Sequence, residues 1–336
     1  MITAAELMTR FADRTGVSGR SPQRRYLWTD AFAVCNFLGL GQRERASELV
    51  RAVHHELGRH RSDDDRRGWI SGLSEADGAA HPTLGGLRIG KPLPERRPNE
   101  PFDEDLEWER DGQYFHYLTK WMHALDQAGM TRWASELADV AHRRFVYDAR
   151  GRKRMYWKMS IDLARPQVVS MGHHDPLEGY VTALQLDRGR DELAGAIADY
   201  RGMVDPHALV TDDALGIGGL LVDAYRLTQI ERDRPLRDAV LEAARVGLEE
   251  YARRPGLRLS AAHRLAFREL GLAIGLAAVE AMGVARFARF AHLRDAIVQF
   301  WLDDDHRRSP TYLGHEDISD VMLATCLQPD GFLVLH

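Results

Sequence analysis

The chain of 336 residues is poor in cysteine, in lysine and in uninterrupted apolar runs, and each shortage removes a class of protein. Two cysteines, Cys35 and Cys326, are too few for a disulfide framework and lack the spacing of a metal-ligand set. Lysine occurs only at positions 91, 120, 153 and 158, so arginine supplies nearly all the positive charge. With 45 basic against 50 acidic side chains the formal net charge is −5, and no global field recruits nucleic acid or an anionic membrane. No stretch reaches the roughly 18 apolar residues of a membrane span. The first ten residues carry Glu6 and no apolar core of signal-peptide length. These absences lead to the expectation of a soluble, cytoplasmic, bacterial protein. The further expectations are a small-molecule partner and no cofactor, with a metal on His116, His173, His174 and His315 kept as a variant and self-association left open.

Runs of alternating β-branched residues are also missing, while helix-period apolar patterns occur almost everywhere. The helices sort into two kinds. Segments 24–39, 112–128, 176–186, 212–229, 263–282 and 316–327 are rich in Gly, Ala, Leu and aromatics with few charges, and helices apolar nearly all round belong inside. Segments 4–15, 42–60, 132–147, 191–204, 236–253 and 292–304 carry arginine and glutamate on one face and belong outside. Outer and inner helices alternate strictly. The pattern predicts an all-α, single-domain (α/α)6 toroid spanning 1–336, six helical hairpins whose inner members form a barrel.

Loop lengths orient that barrel. Inner-to-outer connections such as Gly39-Leu40-Gly41 and Gly129-Met130-Thr131 are short, whereas two outer-to-inner connections, 61–111 and 148–175, are very long. Long ordered loops in compact domains usually carry function, so the working mouth is expected where the inner helices begin. Each helix N-terminus there offers about half a positive charge, favouring carboxylates or anionic ligands. The run Ser62-Asp63-Asp64-Asp65-Arg66-Arg67 in the first loop lacks calcium-loop spacing and reads as a solvated turn. Leu215-Gly216-Ile217-Gly218-Gly219 follows no strand, and its glycines read as close helix packing rather than a dinucleotide loop.

Chemistry-bearing residues cluster at the expected mouth. Ser170-Met171-Gly172-His173-His174-Asp175-Pro176-Leu177-Glu178-Gly179 brings two imidazoles and two carboxyls to the start of a helix. Asp175 as N-cap, Pro176 as first helical residue and Glu178 as the third would make a capping box, which leaves His173 and His174 unexplained. Asp30, in the apolar stretch after Tyr26 and Trp28, pairs with Arg24 or Arg25 or faces the cavity, because burying it alone costs several kcal/mol. Gln113, Tyr114, His116 and Tyr117 fill the first turn and a half of one inner helix, a density suited to a pocket. His123, farther along, reads as a core histidine. Lys158 is the expected ligand contact of the second loop, whose Asp162 and Arg165 would brace each other. Arg268 with Glu269, and His315 with Glu316, open two further inner helices.

The hairpin count and the stretch Tyr26-Leu27-Trp28-Thr29-Asp30 resemble the six-hairpin glycosidase superfamily, which includes unsaturated glucuronyl hydrolases and other (α/α)6 glycosidases. His173-His174-Asp175-Pro176 is similar to the histidine-bearing loops of the N-acylglucosamine 2-epimerases, which share the toroid. The resemblance covers the whole chain as architecture and implies a glycoside hydrolase working by carboxylate acid/base chemistry on a saccharide. Asp30, His116, His174, Asp175 and Glu316 would do the chemistry. Tyr26, Trp28, Gln113, Tyr114, Tyr117, Lys158, His173, Arg268 and His315 would hold the sugar. A sugar epimerase using His174 and His315 as paired bases is the alternative. A terpenoid cyclase-like or dehydratase-like toroid and a non-catalytic binding scaffold complete the set, and fold likeness alone does not choose among them.

Overall fold

In the computed structural model, which describes residues 2–253 and 255–336, 62 % of the chain is helix and 5 % strand. The chain begins with α1 (Ala4–Arg14), α2 (Leu27–Gly39) and α3 (Arg43–Leu57). The first long connection holds the short helices α4 (Glu75–Ala80) and α5 (Glu104–Glu109) and strand β1 (Gln113–Tyr114), and leads into α6 (Phe115–Gln127) and α7 (Thr131–Phe145). The second carries β2 (Val146–Asp148), β3 (Lys153–Met155), β4 (Lys158–Met159) and β5 (Pro166–Val168). Then follow α8 (Asp175–Asp187), α9 (Ala194–Met203), α10 (Ala214–Ile230), α11 (Arg234–Arg253), α12 (Ala266–Ala281) and α13 (Ala291–Leu302). The one-turn helices α14 (Asp304–Arg307) and α15 (Pro310–Leu313), then α16 (Glu316–Leu327) and α17 (Asp330–Leu333), complete it. The long helices lie within three residues of the expected ranges, the largest offsets being at ends such as that of α2, which starts at 27 rather than 24. No helix among the described residues is long and apolar enough to cross a membrane.

The chain groups into two compact units. One comprises Ser21–Val34 and Arg43–Val204. There α6 packs on α7 and on α8, and α8 packs on α9. Gly179 leaves room on α8 for the rings of Phe115 and Tyr200, each about 3.0 Å from where a Cβ would stand. The other unit comprises the segment up to Arg20, Cys35–Gln42 and Asp205–His336. In it α10 packs on α12, α12 on α16, and α1 on α16. The glycines of α10 do let helices approach: a Cβ on Gly218 would stand 2.1 Å from the Gly271 carbonyl oxygen of α12. Asn36 of α2 donates to the Val321 carbonyl of α16 (2.9 Å) and accepts from the Thr325 hydroxyl (2.9 Å). Both cysteines are free thiols.

The long connections are folded rather than structureless, and this is where the strands lie. β4 pairs antiparallel with both β1 and β5, with Tyr114 opposite Lys158, while β2 and β3 form a separate hairpin. Strands of two or three residues are too short for a period of two to register in sequence. The Asp63–Arg66 region is cross-linked rather than merely solvated. Arg66 binds Asp64, Glu95 and Asp162, each at 2.7 Å, and Arg61 binds Asp63. Asp162 therefore pairs with Arg66 and not with Arg165, whose guanidinium instead donates to the Arg96 carbonyl. Asp111, buried, accepts from Arg88 (2.6 Å), Arg61 (3.3 Å) and the N–H groups of Gly90 and Gly112 (3.0 Å each), fixing the turn before α6.

Candidate active site

Strand β1 hands the chain to α6 with no side-chain cap, so the aromatic residues around the junction take their orientation from packing. Tyr114 stacks on Trp157 (5.0 Å between centroids) and on His116 (5.5 Å), and meets Tyr117 edge-on (5.3 Å). Tyr117 in turn meets Tyr26 edge-on, their hydroxyls 2.6 Å apart. The result is a continuous aromatic wall. Trp157 reaches it because β4 pairs with β1 and the Phe115 N–H donates to the Trp157 carbonyl (3.4 Å).

Opposite this helix start stands the first turn of α8. Pro176 occupies the first turn as expected, but Asp175 is already helical and caps nothing; His174 is the cap residue, without a side-chain capping bond. Nor does Glu178 reach back to complete a capping box. Its carboxylate accepts from Lys120 Nζ (3.1 Å) and from the Thr119 hydroxyl (2.8 Å), both on α6. Burial alone would raise the Glu178 pKa. The Lys120 ammonium, the His116 ring and the Thr119 hydroxyl overcome it and hold Glu178 below the ordinary carboxylate range.

Asp175 is driven the other way. It is 5 % exposed, and its Oδ2 has no hydrogen-bond partner. Burial, reinforced by the charge of Glu178, pushes its pKa up to about 8 against weaker opposition from the Gly172 N–H and Lys120. Beside them, burial pushes His116 down to about 4 despite Glu178, so its imidazole is neutral near pH 7, and its Nδ1 is buried without a partner. His116, Tyr117, Lys120 and Glu178 each keep part of their surface exposed, so solvent reaches this edge of the wall as a recess, where burial governs the ionisation of His116 and close charges that of Glu178. The arrangement sets a carboxylic acid, a carboxylate and a neutral imidazole at the edge of an aromatic wall. Environments that push two carboxyls apart in pKa are what acid/base chemistry requires.

Of the residues singled out in the sequence, Tyr26, Tyr114, His116, Tyr117 and Asp175 belong to this recess or its wall, and His174 adjoins it as the cap of α8. His173 is exposed. For Asp30 the pairing alternative holds and the cavity-facing, catalytic one does not: 1 % exposed, it accepts from Arg25 (3.2 Å) and the Tyr26 N–H (3.0 Å), so its charge serves the start of α2. Trp28 packs on Phe32 (4.4 Å) in the core. Gln113 is a structural tie, accepting from the Leu87 N–H (2.8 Å) and donating to the carbonyls of Ile161 (2.6 Å) and Gly85 (2.9 Å). Lys158 is not a ligand contact. It is buried, and its ammonium donates to Glu107 Oε1 and to the carbonyls of Glu107 and Arg110, which uses all three N–H groups. His123 is the core histidine expected, bonded to Gln185 (3.1 Å).

The remaining three lie in the other unit. Arg268 pairs with Asp213 (2.5 Å), the side-chain cap of α10. Glu269 pairs with Arg264 rather than Arg268. Glu316 binds Arg14 (3.3 Å), which also grips Asp317 (2.8 Å) and Asp320 (2.7 Å), so these acids neither cap α16 nor stand unpaired. His315 precedes α16, its Nδ1 against the Thr311 carbonyl (3.2 Å) and its ring tilted on Phe267.

Sequence reasoning passed over Lys120, Thr119 and Trp157 and took Glu178 only as a cap. One signal was available: Lys120 is among the chain's few lysines and lies one turn after His116 on the same face. No group of three or more His, Cys, Asp or Glu able to hold a metal occurs among the described residues. No family model, curated protein or solved structure matches the chain.

Proposed function

We propose that the chain is a carbohydrate-active enzyme, in the first instance a glycoside hydrolase, built on an (α/α)6 ring of six helical hairpins. The ring is supported by the succession of inner-class contacts, α6 with α8, α10 with α12, α12 with α16, and Asn36 of α2 with α16. The observation that carries the reaction is the pair Asp175 and Glu178, one turn apart on α8 and pushed in opposite directions.

In the proposed step Asp175, protonated at neutral pH, gives its proton to the oxygen of the leaving group as the glycosidic C–O bond breaks. Glu178, ionised, takes a proton from the water whose oxygen forms the new bond to the anomeric carbon. Lys120 and Thr119 are positioning residues that hold Glu178 and keep it charged. The neutral His116 supports a second reading, a sugar epimerase in which the imidazole removes a proton beside a carbonyl.

A screen of aryl glycosides and free aldoses in deuterated buffer separates the two. Release of the aryl group without deuterium in the sugar carbons is the expected result. Deuterium uptake into an aldose without hydrolysis would favour the epimerase, and inertness toward both would overturn the proposal.

A further inference from the structure

Two rings of the aromatic wall, Tyr114 and Trp157, also line a cavity of about 230 Å³, together with Phe102, Glu104, Trp108 and Ser170 among others. Two of its rings are unusually open for their size, Phe102 at 55 % and Trp108 at 48 % exposure. Trp108 meets Trp157 edge-on at 5.0 Å, and the lining rings Trp157 and Tyr114 are stacked with His116 at 6.4 and 5.5 Å, so the cavity wall is one ring contact from the recess. We propose that this cavity is a second saccharide subsite, so that the substrate is an oligosaccharide rather than a glycoside of a single sugar ring. The inference rests on the carbohydrate reading above and names its substrate class.

Size and chemistry both bear on the occupant. The volume is below the roughly 300–1,000 Å³ of pockets that enclose a whole drug-sized ligand, and suits one ring of a longer molecule. A pyranose offers an apolar face of C–H groups that packs on an indole or phenyl plane, and a rim of hydroxyls that needs both donors and acceptors. Among the lining residues Trp108 and Trp157 carry indole N–H donors, Ser170 a hydroxyl and Glu104 a carboxylate.

A cationic ligand, which an aromatic cage also attracts, is disfavoured by what the protein has already placed there. Lys158 stands over the Tyr114 ring at 5.2 Å and Arg96 over Phe102 at 5.7 Å. The carboxylate of Glu107, also in the lining, is neutralised by Lys158 (2.9 Å) and Arg96 (3.1 Å).

The test uses full-length protein carrying Asp175→Asn, alone and combined with Trp108→Ala or Phe102→Ala. Each is titrated calorimetrically with gluco-, manno-, galacto- and xylo-configured monosaccharides and their trisaccharides. At least one trisaccharide should bind about tenfold or more tightly than its monosaccharide, a ratio worth roughly one good stacking contact. That ratio should fall below about twofold when either ring is removed, with the far-ultraviolet circular dichroism unchanged. A ratio that survives both ring substitutions overturns the subsite. So does a panel in which no trisaccharide outbinds its monosaccharide, or preferential binding of tetramethylammonium. Monosaccharide binding without a chain-length ratio overturns the subsite and leaves the carbohydrate reading standing, whereas a panel in which no saccharide binds at all overturns both.

Discussion

Asp175 and Glu178 sit three positions apart on one helix, yet one holds its proton and the other releases it, because the charge of Lys120 is spent on Glu178 and burial is left to act on Asp175. The sign of the effect on stability follows. Between the ordinary value of 3.8 and about 8, native Asp175 keeps a proton that the unfolded chain has released. The native state then binds more protons, so stability falls as pH rises through that window. Replacing Asp175 by Asn should therefore abolish turnover while raising stability by roughly 1–4 kcal/mol near pH 8, a gain that shrinks toward pH 4. Chemical denaturation across that range checks it, and a variant less stable than the parent at pH 8 would mean the carboxyl had a structural role. Activity should show a basic limb near pH 8 from Asp175 and an acidic limb below the ordinary carboxylate range from Glu178. Lys120→Met should move the acidic limb to higher pH and, by leaving a recessed carboxylate unpaired, cost about 3–5 kcal/mol; pH–rate profiles and urea melts read the two effects.

At the scale of elements, the recess depends on how the segment before α8 meets its first turn. A Cβ on Gly172 would stand 2.7 Å from Asp175 Oδ2, and the obstructing group is the end of a side chain rather than backbone. Gly172→Ala should thus displace the acid with little strain elsewhere. Turnover is expected to fall on the order of 10- to 100-fold, since small misplacements of a reacting group are costly, while the melting temperature changes by no more than a few degrees. An unchanged kcat would separate Gly172 from the chemistry. The aromatic wall has a different support, because Trp157 arrives through the pairing of β4 with β1, and that pairing is locked by Lys158 beneath Tyr114 and by Gln113 bridging both long connections.

For the molecule as a whole, the proposed ring makes a definite thermodynamic demand. In such a ring each inner helix would be shared between two neighbours, so no hairpin could be lost without exposing the faces of the next. Differential scanning calorimetry should show a single cooperative transition whose calorimetric and van't Hoff enthalpies agree. Two resolved transitions, one for each compact unit, would sink the ring while leaving the recess of α6 and α8 intact, since all its residues belong to one unit.

The positions of the long helices were legible in the sequence because apolar spacing reports how each helix is buried, and removing apolar surface from water is the main driving force of folding. Half of the recess was legible too: Tyr114, His116, Tyr117 and Asp175 stand out as polar or aromatic residues where packing alone wants aliphatic ones. Partnership was not legible. Asp30 aside, whose partner Arg25 lies close by in the chain, whether Lys158, Arg268 and Glu316 meet a substrate or an opposite charge depends on which distant residue arrives beside them, and Glu107, Asp213 and Arg14 took those places. Only the tertiary structure decided that Lys120 pairs with Glu178 and leaves Asp175 protonated, because a carboxyl's proton affinity is set by burial and by charges a few ångströms away, and neither is encoded at its own position.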